Sequence, residues 1–364
     1  MPKWLTFLIT MAASHGLVSL GIVLLMRGGV VSFGQGLVFA AGAYAAALGF
    51  NKLGITDAVA LALLGGAAAT LLAAPFAPLL SRYRGIFFGM LNLALSMVLF
   101  AVLGKFYNLT GGTDGLRMER PPFLGQALER PAFETWLLVV SAVLVVAACW
   151  LLRRFYASPT GQALTAIKSN EVRLEYLGIS ARRVFLTGYV ASATLCGFSG
   201  GMFALIQGMV TPEMGYWVRS GEYVFIAVLG GTLNPVGAFL GAIAFEFLKL
   251  FAAATLTGAW QLVIGTVLLI LIFVAPAGLV ALLTRFDRRT GQVQNVAPRP
   301  LRSPDYRVLR TAPVLFSPLD PHLLYFASNV VWRTADGGLA WEQISPREGW
   351  RPNRGYRIEL LPGL

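Results

Sequence analysis

Apolar runs with few charges recur along the first 284 residues, at about 5–26, 32–50, 57–80, 86–107, 135–155, 185–209, 220–231, 236–256 and 260–284. About 20 apolar residues span the hydrocarbon core of a bilayer, where every backbone N–H and C=O must be paired inside the protein. A helix meets that demand within one segment. The expected fold is therefore an all-α polytopic membrane protein of about nine transmembrane helices, nine if the short 220–231 piece crosses. Composition agrees: 56% of the 364 residues are hydrophobic and 13% charged, against about 25% charged in soluble domains. The first run is too long for a signal peptide and reads as a retained helix.

Lys and Arg number 29 against 17 Asp and Glu. In a membrane protein such an excess belongs to cytoplasmic loops, so no nucleic-acid partner is expected. The loop 153–184 is the richest, with Arg153, Arg154, Lys168, Arg173, Arg182 and Arg183. Alternating from there puts Arg27, Arg82, Arg84, Arg285, Arg288 and Arg289 on the same side, which gives twelve basic residues inside against six outside. This bookkeeping requires 220–231 to cross, with Gly230 to Pro235 as a turn or helix break at membrane depth, and it puts the N-terminus outside.

Catalysis is not expected. The chain has no phosphate-binding loop, no His-Glu-x-x-His, no Gly-x-Ser-x-Gly, two cysteines inside apolar runs and two histidines; neither metal nor cofactor is implied. His15 reads as a packed helix residue. Small residues four apart, such as Gly197 with Gly201 and Gly237 with Gly241, let helices approach closely. Polar groups inside spans are costly and hint at a pathway. Asn92 and Ser96 on one helix face, Gln207, and Glu246 are the candidates for a translocation path, although Glu246 and Lys249 can pair with each other.

The loop from Ser158 to Ile179 carries helix signals: Pro159 and Gly161 open it, Ala163, Ala166 and Ile167 recur at helical spacing, and Gly178 is placed to end it. Its apolar face needs a cover, either its own bundle or a partner subunit. Gly161, Ala163, Ala166, Ile167, Asn170, Glu171, Leu177, Gly178 and Ile179 form a pattern that resembles the cytoplasmic signature of the M-type permease subunits of branched-chain amino-acid ABC transporters. Ser32-Phe33-Gly34-Gln35-Gly36 with Gly42-Ala43-Tyr44, Arg84-Gly85-Ile86-Phe87-Phe88, Thr110-Gly111-Gly112-Thr113-Asp114-Gly115-Leu116, Gly230 to Ala238 and Pro276-Ala277-Gly278-Leu279 resemble further family elements, in order, over about 5–284. Ile86 and Leu233-Asn234-Pro235 depart from that pattern.

The resemblance implies a multi-pass bacterial inner-membrane permease without chemistry of its own. It further implies a second permease subunit as heterodimer partner, two cytoplasmic ATP-binding subunits and a periplasmic solute-binding protein, with 161–179 as the ATPase-coupling element. A stand-alone secondary transporter or channel is the alternative. Family members often carry another hydrophobic segment ahead of the equivalent of 5–26, so a shortened variant or an incomplete gene model is expected.

Beyond Arg289 prolines multiply and no run is long enough to span. The expected organisation is a permease domain over 1–286, a linker over 287–305 and a small β-rich piece over 306–364, with strands around Val314–Phe316, Leu323–Phe326 and Val330–Arg333. Thr334-Ala335-Asp336-Gly337-Gly338-Leu339-Ala340-Trp341 resembles the Asp-box of β-propeller repeats, a hairpin-shaping rather than catalytic motif. One such repeat cannot bury a propeller core, so a fusion or misjoined reading frame packing poorly on the bundle is expected.

Overall fold

The computed structural model describes residues 3–123, 125–126, 128–232, 234–255, 260–274, 314–316, 323–327, 331–335 and 342–344. The chain divides into two compact units, Met1–Thr284 and Arg285–Leu364. All nine apolar runs contain helix. The long ones are α1 (Lys3–Arg27), α2 (Gln35–Leu53), α3 (Ala58–Leu80), α4 (Gly85–Lys105), α6 (Arg130–Ala157), α9 (Ala181–Gln207) and α11 (Pro235–Thr255). These seven, among the described residues, are long and apolar enough to cross a membrane. The remaining helices are α5 (Tyr107–Thr110), α7 (Pro159–Ser169), α8 (Glu171–Tyr176), α10 (Trp217–Gly230) and α12 (Trp260–Val274).

The 220–231 run forms a helix of only 14 residues, about 21 Å long, and so cannot cross a core of about 30 Å by itself. The wider path does cross. One end of the bundle is tied together by Arg84 to Glu171, by Arg182 to the Pro78 carbonyl, and by Arg27 to the Thr232 carbonyl at 3.0 Å. The other end is tied by Asn51 to the Arg117 carbonyl, by Met118 N–H to the Gly208 carbonyl, and by the antiparallel pairing of β1 (Leu116–Arg117) with β2 (Met209–Val210). The chain from Gly208 to Thr232 therefore runs from the far end to the basic end, first as irregular backbone and then as α10.

A second irregular stretch enters from the basic end. Gln35 opens α2 with its Nε2 on Ser192 Oγ, whose hydroxyl donates to the Gly21 carbonyl at 2.7 Å. Gly21 lies six residues before the end of α1, about 9 Å inside the bundle. Ser96 donates to the Gly215 carbonyl at 2.6 Å, eleven residues into α4 and so about 16 Å deep. The helices that follow these two stretches meet at their first turns, where Gly36 N–H of α2 donates to Ser220 Oγ of α10 at 2.9 Å. Irregular backbone at such depth is tolerated only where protein or a cavity covers it; fully buried Ser96 supplies a partner to the Gly215 carbonyl, and fully buried Ser220 to the Gly36 N–H in the first turn of α2.

The core is a seam of small residues between α2, α3 and α9. A methyl added at Gly200 would strike the Phe39 carbonyl oxygen, one at Gly42 the Gly197 carbonyl, and one at Gly65 would lie 2.9 Å from the Gly42 carbonyl. Gly230, Gly237 and Gly241 do the same for α10 against α11, a methyl at Gly241 lying 2.7 Å from Gly230 N. Without a hydrophobic drive between helices in lipid, such close backbone approach supplies the packing energy.

In the second unit β3 (Val314–Phe316), β4 (Leu324–Ala327), β5 (Val331–Thr334) and β6 (Glu342–Gln343) form an antiparallel meander in that order. The expected strands lie at these positions. Asp336 to Trp341 of the Asp-box pattern, Pro276 to Leu279, Arg285, Arg288 and Arg289 fall outside the described residues.

Candidate functional site

The loop after α6 is two helices, not one. Ser158 caps α7, accepting from Gly161 N–H, with Pro159 at its first position. Asn170 then adopts extended backbone and its side chain accepts from Arg173 N–H, ending one helix while capping the next. The α8 exit is a Schellman turn: Gly178 at φ +78 donates to the Glu175 carbonyl and Ile179 N–H to Leu174, a left-handed conformation glycine adopts without steric cost.

The two helices dispose of their apolar residues differently. Ala163, Leu164 and Ile167 on α7 are buried, and a methyl at Gly161 would run into the Phe155 carbonyl, so its own bundle covers α7. Along α8 and its exit, Val172, Tyr176, Leu177 and Ile179 are exposed, Tyr176 at 87% and Leu177 at 73%. Buried Leu174 and a charged fork fix this platform to the bundle: Arg84 donates to both Glu171 oxygens, at 3.0 and 3.2 Å, and stacks over the Phe185 ring at 4.4 Å. The fork geometry makes such a pair directional.

The intramembrane candidates do not converge on one place. Asn92 accepts from the Tyr189 hydroxyl at 3.1 Å while its Nδ2, like Gln35 Oε1, is buried without a hydrogen-bond partner. Asn92 and Ser96 thus face α9 and the 211–216 stretch. Gln207 lies at the far end, on the wall of a 530 Å³ cavity with Thr6, Thr10, Arg120 and Arg130.

Glu246 is held from α1 by His15. Its Oε1 sits 2.6 Å from His15 Nδ1, between rings of Phe203 and Tyr223 that stand 5.7 and 5.5 Å from the imidazole. Lys249 instead reaches Glu222 Oε2 at 3.4 Å, which Arg219 also holds at 3.1 Å. Three residues apart on α11, the two share one side of the helix and are taken up by different neighbours, Glu246 by α1 and Lys249 by α10. Sequence reading missed Glu222, Arg219, Gln35, Tyr189 and Ser192 as site residues. A carboxylate inside the 220–231 run was the available signal for the first. Among the described residues no group of three or more His, Cys, Asp or Glu could hold a metal ion.

Comparison with known proteins agrees with this architecture. The family model described as branched-chain amino acid transport system / permease component matches residues 4–273. High-affinity branched-chain amino acid transport system permease protein LivM from Escherichia coli is 29% identical over 259 residues, covering 64% of this chain and 60% of the relative; LivM from Salmonella typhimurium gives the same figures. A probable branched-chain amino acid transport permease protein, LivH from Methanocaldococcus jannaschii, is 24% identical over 272 residues, covering 71% and 84%. The chain spans about three fifths of the length of the LivM relatives it matches. No solved structure matches. With the matched span running from α1 to the end of α12, and seven apolar helices long enough to cross, the chain is a multi-pass inner-membrane protein that belongs to the branched-chain amino acid transport permease family.

Proposed function

We propose that this chain is the membrane-spanning subunit of an ATP-binding-cassette importer that moves branched-chain or related amino acids. The observation that carries this reading is the α8 platform: exposed Val172, Tyr176, Leu177 and Ile179 on a basic end, braced by Arg84 and Glu171. Exposed apolar residues rimmed by charge mark a protein contact, and the positive-inside bias assigns that end to the cytoplasm. An ATP-hydrolysing subunit docks there, and its motion reaches the bundle through α7, which is packed on α9, and through the Arg84–Glu171 fork. A second permease subunit completes the membrane pore, and a periplasmic solute-binding protein delivers substrate to the far end. Asn92, Ser96, Gln207 and Glu246 remain pathway candidates, with Ser96 and Asn92 beside the irregular backbone.

The test is co-purification of the tagged chain expressed with its neighbouring genes. An ATP-hydrolysing subunit is expected to co-purify, and Leu177→Asp is expected to release it while the chain stays in the membrane. An intact chain that purifies without any nucleotide-binding partner and still moves solute overturns this reading in favour of a stand-alone transporter.

A further inference from the structure

A 530 Å³ cavity opens at the far end, between the starts of α1 and α6 and the end of α9. Thr10 and Leu137 line it from below, each seven residues into its helix, so it reaches about 10 Å down from the helix starts. The level of the bilayer here is marked by α6 itself. Trp136, Val139, Val143, Val146 and Trp150 are exposed and recur every three or four residues, which puts them on one helix face. This apolar stripe faces lipid and carries a tryptophan at each end, where such rings collect at the two membrane interfaces. Trp4, exposed in the first turn of the adjoining α1, repeats the far mark. The cavity therefore lies beside Trp136 and rises above it, at the depth of lipid glycerol and phosphate.

Its lining changes character at that level. Phe7, Phe133 and Leu137 supply apolar wall, and Glu119, Arg120, Arg130 and Glu134 supply charge of both signs. Arg130 holds Glu134 Oε1 at 3.0 Å. Met118 N–H on the Gly208 carbonyl fixes the neighbouring Glu119 and Arg120 at the exit of α9, where both are exposed and make no side-chain hydrogen bond or ion pair among the described residues.

We propose that this cavity binds a phospholipid of the outer leaflet whose headgroup carries a phosphate and a primary ammonium, as phosphatidylethanolamine does. Arg120 and Arg130 donate to the phosphate, whose oxygens match the guanidinium fork. Glu119 and Glu134 accept from the ammonium, and an acyl chain leaves past Phe7 and Trp136. A phosphoglycerol headgroup brings these carboxylates no cation, and a choline headgroup has no N–H to donate to them. The volume lies within the range of small-ligand pockets. Because Gln207 also borders the cavity, the test separates lipid from transported solute.

The experiment uses the full chain in its assembled complex, extracted in mild detergent and stripped of lipid. Apparent Kd is read from the rise of the thermal transition as phosphatidylethanolamine, phosphatidylcholine, phosphatidylglycerol or free phosphoethanolamine is added. Phosphatidylethanolamine is expected to bind about fivefold or more tighter than the other two lipids, as charge-assisted contacts would give, and free phosphoethanolamine, without chains, to give no rise. Arg120→Gln is expected to weaken phosphatidylethanolamine about fivefold or more, and Glu119→Gln to bring it level with phosphatidylcholine. Both side chains are exposed, so the transition of the lipid-free protein is expected to stay unchanged in both variants. Equal affinity for the three lipids, or unchanged affinity in both variants, overturns the site. Phosphoethanolamine acting as strongly as the lipid overturns it in favour of a site for a free solute. An Arg120→Gln complex that keeps its lipid affinity but has a raised KM for the transported solute, or a weakened hold on the solute-binding protein, overturns it in favour of a solute path or a protein-docking groove.

Discussion

Glycine serves opposite ends in two regions of this protein. In the seam between α2, α3 and α9, Gly42, Gly65, Gly197 and Gly200 are required because the neighbouring backbone occupies the space a methyl would need. At the α8 exit, Gly178 has nothing within 4 Å of its hypothetical methyl and is required only by its positive φ. The first region is a solid contact with no room to shift. The second is a turn on an open surface, shaped for something else to touch. A substitution that reads the same in sequence thus tests rigid packing in one place and backbone shape in the other.

The largest effect is expected at Gly200→Ala. The added carbon cannot coexist with the Phe39 carbonyl, so helices must separate, at several kcal/mol by analogy with overpacked cores; loss of folded protein on detergent size-exclusion chromatography checks it. Normal behaviour would mean that the seam is as yielding as the turn. Next comes His15→Leu, which leaves the Glu246 carboxylate buried without its partner at a cost of about 3–5 kcal/mol, measured as a lower thermal transition; the Glu246→Gln change in the same protein should restore part of it. Gly178→Ala should cost about 1–2 kcal/mol of local turn energy with no loss of the folded bundle, and its signature is weaker ATPase stimulation in the assembled complex. Glu171→Gln should change stability by less than about 1 kcal/mol, because Arg84 and Glu171 are 25% and 35% exposed, and should also weaken coupling. The smallest effect concerns Tyr107, whose hydrogen bond to Asp114 at 2.7 Å holds its phenol proton above the ordinary value. In Asp114→Asn the phenol should ionise at lower pH, visible in the ultraviolet difference spectrum.

Most of the helical architecture was legible because lipid makes the apolar run and the helix nearly the same thing. Segment 57–80 became Ala58–Leu80 and 86–107 became Gly85–Lys105. What stayed hidden depends on tertiary partners. His15 and Glu246 are 231 residues apart, and no local pattern links them. Segment 32–50 read as one span, but its first residues are non-helical until Gln35, and the first turn of α2 gives its Gly36 N–H to Ser220 of α10. The loop after α6 read as a single helix because Ala163, Ala166 and Ile167 recur at helical spacing and Gly178 is placed to end it; the break arises from Asn170, a residue able to end one helix and cap the next. For the site, Gly161 and Ala163 were found for their pattern but serve inward packing, while the exposed surface falls to Tyr176 and Leu177.

The brevity of α10 bears on how this protein is made. A 14-residue segment bearing Arg219 and Glu222 is too short to partition from the translocon into lipid by itself. Its neighbour α11 has 21 residues and long enough apolar length to enter. The pair must therefore insert as a hairpin, closed by the tight Gly230–Gly237 approach, and α10 waits in the translocon or at the membrane surface until α11 has been synthesised.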